Sequence, residues 1–176
     1  ELEQLAPARS RDIDLERFFA RRTRSPASST DYFMEEYIAG TVGSFDGLTD
    51  HEGHVVFYTA HRYDRGVMEI VNNSLDLIYY SLREIPKRLR EAGLKAVEAF
   101  GLKERFFHIE FFHTGDDRWV VLEVNVRPPG GLTMDMFNYA NDINLYQEWA
   151  NVVVLNQFVA EYTRPYHCAH ISRRYI

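Results

Sequence analysis

Four polar side chains occupy alternate positions in two short apolar runs of this sequence. His108 and Glu110 lie within residues 106–112, and Glu123 and Asn125 within residues 122–127. Side chains two apart on a β-strand point the same way. Phe107, Ile109 and Phe111 therefore share one face of the first strand, and His108, Glu110 and Phe112 share the other. On the second strand, Leu122, Val124 and Val126 oppose Glu123, Asn125 and Arg127. Ordinary half-buried strands alternate in the same way, with the polar face in water. Here the two polar faces meet if residues 114–118 close a hairpin symmetrically around Asp116-Asp117, which sets Glu110 opposite Glu123 and His108 opposite Asn125. Directly opposed positions have Cβ atoms about 4.5–5.5 Å apart, where like charges repel unless a cation lies between them. Two carboxylates and an amide oxygen are hard ligands of the kind Mg²⁺ accepts, with water and phosphate oxygens completing the octahedron. A slip of one residue would turn a whole face away.

The run Leu122-Glu123-Val124-Asn125-Val126-Arg127-Pro128-Pro129-Gly130-Gly131 resembles the Glu-x-Asn-x-Arg-x-x-Gly-Gly signature of ATP-grasp ligases, and His108-Ile109-Glu110-Phe111 resembles that family's earlier metal-binding strand. The resemblance implies that Glu110 binds one Mg²⁺, that Glu123 bridges two ions, and that Asn125 binds the second. It gives Arg127 the transferred phosphate or acyl phosphate, and the amides around Gly130-Gly131 a close approach to the substrate. Met34-Glu35-Glu36-Tyr37-Ile38-Ala39-Gly40 is similar to the family's hinge strand, in which backbone groups near Glu35, Glu36 and Ile38 hold the adenine edge of ATP. His108 corresponds to a basic group that some relatives place on the metal face. His61 and Arg62, ending the third strand, are candidates for the substrate side.

These residues need elements to hold them. Residues 12–22 read as an acid-capped amphipathic helix, and Ser25-Pro26-Ala27-Ser28-Ser29-Thr30 breaks it. Strand-like runs follow over 32–38, 41–48 and 54–61, with Asp50-His51-Glu52-Gly53 as the turn between the last two. Apolar residues Leu82, Ile85, Leu89, Ala92, Ala96, Val97 and Phe100 predict a helical stretch over about 74–100, kinked or broken at Pro86. After the strands 105–113 and 119–127 the chain turns helical over 132–140 and 145–162. Strands and helices mix without regular βαβ alternation, so the predicted class is α+β, a mostly antiparallel sheet flanked by helices. By resemblance, residues 1–30 are the remnant of the N-terminal ATP-grasp part, 31–163 the C-terminal subdomain, and 164–176 the start of a further segment.

Composition narrows the function. With 45% hydrophobic residues in 176, the chain can bury a core. A formal net charge of −6 argues against a general nucleic-acid binder. The basic cluster Arg17, Arg21, Arg22 and Arg24 lies beside Asp12, Asp14 and Glu16, as on a solvated helix face. Cys168 is the one cysteine, which excludes an internal disulfide and a cysteine zinc site; a neutral thiol near the surface is expected. No apolar run reaches the roughly 20 residues of a membrane span, and no signal-peptide core stands at the N-terminus. A cytoplasmic enzyme is the simplest expectation, and a homodimer is compatible with it.

Two departures from the family pattern stand out. No lysine precedes Lys87 and no glycine precedes Gly40, whereas the family has phosphate-binding lysines and a glycine-rich loop ahead of the hinge; a fragment of a longer enzyme is expected. The family's Gly-x-Glu, with its glutamate on the ribose, is here Gly40-Thr41-Val42, so that either another residue such as Ser44 or Asp46 takes over or nucleotide contact is weakened. The implied function is ATP-dependent ligation of a small-molecule carboxylate to an amine (or a thiol), on amino acids or peptides. The alternative is a degenerate, non-catalytic ATP-grasp module acting in protein binding.

Overall fold

The computed structural model describes residues 36–173. Two compact units divide the chain, Glu1–Ile38 and Ala39–Ile176. The first contributes only residues 36–38, which form neither helix nor strand, to the described part. The predicted helix over 12–22 and most of the predicted strand over 32–38 lie outside the described residues.

The second unit is built on one six-stranded sheet with the strand order β5-β4-β1-β2-β3-β6. Its strands are β1 (Thr41–Thr49), β2 (Val55–Tyr63), β3 (Leu77–Ser81), β4 (Phe106–His113), β5 (Trp119–Asn125) and β6 (Ala169–Ser172), and every neighbouring pair is antiparallel. Four helices join them: α1 (Val67–Asn73), α2 (Lys87–Ala99), α3 (Thr133–Asn141) and α4 (Leu145–Leu155). This is the α+β architecture the patterning predicts.

Strand β1 lies at the centre and is buried along all but its first residue, so each of its faces has its own cover. On one face Phe45, Ala60, Phe107, Ile109 and Phe111 pack with Leu89, Ala96 and Val97 of α2. On the other, Leu48, Phe57 and Phe106 pack with Met134 and Phe137 of α3 and with Leu145 and Val152 of α4. Burial of an apolar side chain contributes about 1.5–3 kcal/mol relative to exposure, so the two layers fix the sheet between them.

Three expectations give way to the structure. The helix predicted over 74–100 contains a strand: Leu77-Ile78-Tyr79-Tyr80-Ser81 pairs with β2, and α2 begins only at Lys87. Aromatic and β-branched residues favour a pleated strand, and Tyr79 and Ser81 turn inward from it. Pro86 occupies the N-cap of α2, so it starts that helix instead of kinking it. The helix predicted to run to residue 162 stops at Leu155, where Asn156 takes a left-handed conformation (φ 52°) and its amide bonds back to Val152. Beyond it the extended chain lays Phe158 and Tyr162 against Phe57. Residues 169–172, for which no element was predicted, form the edge strand β6. No helix among the described residues is long and apolar enough to cross a membrane. Cys168 is half-buried, and burial pushes its thiol up, as expected of a neutral group.

The fit of α2 to the sheet depends on Gly93. A Cβ added there would lie 2.2 Å from Cδ1 and 2.4 Å from Cγ of Phe45. That ring is stacked between Tyr58 and Phe107, with centroids 5.5 and 5.8 Å away, and is fully buried. Alanine would gain about 1 kcal/mol in helix propensity, yet we expect Gly93→Ala to destabilise the protein by about 2 kcal/mol through overpacking. Chemical unfolding measures this; a stability equal to or above that of the unchanged protein would contradict the packing described.

Candidate active site

The hairpin of β4 and β5 realises the predicted pairs: Glu110 is opposite Glu123, Ile109 opposite Val124, and His108 opposite Asn125. It does so by a route the sequence did not display. Nearer the turn the register differs by one, with Phe111 opposite Val121, Phe112 opposite Val120 and His113 opposite Trp119. The shift falls between Glu110 and Phe111, so Leu122 is an extra residue on β5 without a partner of its own. Side-chain parity reverses there. Trp119 and Val124, an odd number of residues apart, both pack against the α2-side core. Glu123 and Asn125 are thereby directed to the opposite face, together with His108 and Glu110. Without the bulge Glu110 would oppose Leu122.

Behind these residues lies a chain of polar contacts. His108 Nε2 stands 3.1 Å from Glu110 Oε1, and His108 Nδ1 makes a short hydrogen bond to Asp46 Oδ1. Asp46 is directly opposite His108 in the β1–β4 register. Its other oxygen accepts from Ser44 Oγ at 2.6 Å and meets His61 Nδ1 at 3.0 Å. Ser44 and Asp46 are 0% exposed, His61 1% and His108 7%. Burial opposes the charge on Asp46, but the charge and hydrogen bond of His108, followed by His61, hold its carboxyl well below the usual carboxylate range. Burial likewise opposes the charge on His108, but Asp46 and then Glu110 push its imidazole up to about 10. Burial, then the charges of Asp46 and Glu110, raise Tyr63 and keep it neutral.

Among the described residues, neither Glu123 nor Asn125 has a side-chain hydrogen-bond partner, and Glu110 uses one oxygen on His108. Two opposed carboxylates and an amide, all with free hard oxygens, suit a divalent cation such as Mg²⁺. A second group of ligand-type side chains, Asp50, Glu52 and His54, lies at the β1–β2 turn within 4.8 Å of one another. Its bonds are those of the turn: Asp50 Oδ1 accepts the Gly53 and His54 amides, and Glu52 accepts from Asn156.

The remaining predicted residues are placed as follows. Arg127 is exposed just beyond β5, with Nη1 on the carbonyl of Pro128 at 3.0 Å. Gly131 takes a positive φ of 63°, which a side chain would strain, and Gly130 offers its carbonyl to Thr133 Oγ1 at 2.8 Å. The Thr133 hydroxyl also meets Tyr79 OH at 2.8 Å, which ties the glycine loop to β3. His61 faces the same side as Glu110 but is closed off from solvent, its ring stacked on Phe137 at 5.3 Å. Arg62, one residue on, points to the α2 side, where Nη2 lies 3.0 Å from His113 Nδ1; it is not brought together with the carboxylates. Ser44 and Asp46, expected as stand-ins for a ribose ligand, are wholly buried and bonded to one another and to the histidines, which corrects that expectation. Glu36 and Ile38 belong to the first unit, and Glu35 lies outside the described residues.

With this geometry in place, comparison with known proteins settles the class. A model of the ATP-grasp domain matches residues 6–135. The chain belongs to the ATP-grasp family. Solved structures of similar fold include a biotin carboxylase beta-gamma-ATP complex from Campylobacter jejuni (TM-score 0.56, 16% identity, 77% of this chain). The biotin carboxylase domain of the 2-oxoglutarate carboxylase of Hydrogenobacter thermophilus, solved with MgADP, ADP and bicarbonate, is also similar (TM-score 0.55, 15%, 77%). So is an L-amino acid ligase from Bacillus licheniformis (TM-score 0.51, 18%, 67%). This chain spans 30% of the length of each. No curated protein matches.

The buried pair predicts a pH signature. Asp46, lowered from 3.8, contributes stability above that pH and loses it as pH falls further. His108, raised from 6.5 to about 10, contributes fully below pH 6.5 and loses its contribution as pH rises through about 10. The stability of the metal-free protein relative to its His108→Gln variant should therefore be greatest between pH 3.8 and 6.5 and shrink towards pH 10. Unfolding midpoints across that range decide it; a constant difference up to pH 10 would show that the imidazolium contributes nothing.

Proposed function

We propose that this chain supplies the Mg·ATP-binding and catalytic C-terminal part of an ATP-dependent carboxylate–amine (or carboxylate–thiol) ligase. The observation that carries the reading is Glu110 facing Glu123 across the hairpin, with Asn125 beside them on the same face. Mg²⁺ ions bound there would neutralise the β- and γ-phosphate oxygens of ATP. Glu110 would hold one ion, Glu123 would bridge two, and Asn125 would hold the second. The titles of two neighbours of similar fold, one a beta-gamma-ATP complex and one solved with MgADP, support a nucleotide as ligand.

In the reaction a substrate carboxylate oxygen attacks the γ-phosphorus, the bond to the β-phosphate oxygen breaks, and ADP leaves with that electron pair. The amine nitrogen then attacks the acyl carbon, and inorganic phosphate departs. No protein nucleophile takes part. His108, charged and fixed beside Glu110, adds a positive group on the face where phosphoryl charge develops. Arg127, exposed just beyond β5, would leave the Pro128 carbonyl to meet the transferred phosphoryl group. The amides around Gly130-Gly131 would bring backbone N–H groups to the substrate. Backbone groups near Glu35, Glu36 and Ile38 would hold the adenine. An amino acid or peptide is the substrate class we favour, in keeping with the L-amino acid ligase among the neighbours of similar fold.

ADP release by the full-length enzyme that carries this chain, assayed against a panel of amino acids, tests this; the chain alone is expected to be inactive. Glu123→Gln should abolish ADP formation while circular dichroism shows the fold intact, and retention of most activity would remove the two-metal assignment. Arg127→Ala should cost about 3 kcal/mol of transition-state stabilisation, more in kcat than in ATP affinity. Equal losses in both would make Arg127 a ground-state binding group. No Mg·ATP binding in calorimetry by either this chain or a form extended upstream would leave a degenerate module that acts through protein contacts.

A further inference from the structure

The polar chain behind Glu110 starts at a carboxylate cut off from solvent. Among the described residues Asp46 has no lysine or arginine beside it; its two oxygens are occupied by Ser44, His61 and His108. Carboxylate oxygens only accept unless protonated, so His108 Nδ1 is committed as a donor to Asp46. Its Nε2 is then the atom that meets Glu110 Oε1. The ring cannot turn over without breaking both contacts, and β1 and β4 are locked in register at that pair. Glu110 is left with its second oxygen free of partners among the described residues.

His61 braces the far side of Asp46. Its Nε2 is buried and has no hydrogen-bond partner among the described residues, while its ring is stacked on Phe137 and set edge-on to Tyr79. Packing and the Nδ1 contacts, to Asp46 Oδ2 at 3.0 Å and to Ser44 Oγ at 3.4 Å, therefore aim it at Asp46 and its serine partner. Buried ion pairs add little stability over well-packed apolar residues of the same volume. The arrangement is better accounted for by what it orients.

We propose that Asp46 is a positioning residue that acts through His108 to fix Glu110 as a cation ligand, with His61 and Ser44 holding Asp46 in turn. This rests on the assignment of Glu110 and Glu123 as metal ligands. Outer-shell partners of this kind orient the ligating side chain, and their loss typically weakens metal binding about 10–100-fold.

The test is Mn²⁺ binding, followed by calorimetry on the protein without nucleotide and on Glu123→Gln, Asp46→Asn, His108→Gln and the Asp46→Asn/His108→Gln double variant. Asp46→Asn and His108→Gln should each weaken Mn²⁺ binding by about tenfold. The double variant should lose no more than either alone, since both act on Glu110 along one chain of contacts. Circular dichroism verifies folding. If Asp46→Asn does not fold, His61→Gln is read in its place, with a smaller loss that vanishes in the His108→Gln background. Unchanged affinity in whichever variant folds, or losses that add, would overturn the proposal. Glu123→Gln separates the two levels. Weak binding there with normal binding in Asp46→Asn sinks the positioning role alone. Binding as tight as in the unchanged protein, or no binding by the unchanged protein, removes the metal site and the proposal together.

Discussion

Two like charges face each other across β4 and β5, and one unpaired residue, Leu122, makes them do so. The pairing nearest the turn would direct Glu123 into the α2-side core, where a carboxylate would lose its hydration without a partner. The bulge turns it to the opposite face. That face can tolerate it because polar groups surround it there: His108 beside Glu110, Asp46 behind them, and Asn125 beside Glu123. The rest of the fold secures this hairpin. Strand β1 clamps β4 along its whole length, and α2 covers the apolar side of the same strands.

The second constraint is the buried charge on Asp46. A carboxylate inside a sheet is costly unless its oxygens are engaged, and here histidines from β2 and β4 and a serine from β1 engage them. The sheet order β4-β1-β2 is what brings those three strands side by side. The opposed carboxylates of the hairpin thus sit on a preorganised polar layer rather than on loops, which suits chemistry that depends on positioning and charge neutralisation. The glycine loop that follows β5 is tied to the same scaffold through Thr133 and Tyr79.

Much of the hairpin was legible because its two strands are neighbours in sequence. Alternation gave the faces, and a short turn gave the pairs Glu110–Glu123 and His108–Asn125. The bulge was not legible, because a symmetric turn and a shifted turn with one extra residue lead to the same pairs. Asp46 was invisible as a partner of His108, since the β1–β4 register joins segments about sixty residues apart and local patterning carries no such information. The strand β3 was hidden by its neighbours. Leu82 and Ile85 pack beside Leu89 in one cluster, as helical spacing would have them, although the helix starts only at Lys87. His61 and Arg62 were grouped as one candidate, but adjacent strand residues point to opposite faces, and only His61 lies on that of Glu110.

The central claim is that the opposed carboxylates of the hairpin are a cation site. Diffraction from crystals soaked in Mn²⁺, recorded at a wavelength where manganese scatters anomalously, addresses it directly. The account predicts an anomalous peak between Glu110 and Glu123, at about 2.1 Å from an oxygen of each as for a small octahedral cation. A peak only at the Asp50, Glu52 and His54 turn, or none at the hairpin, would contradict it.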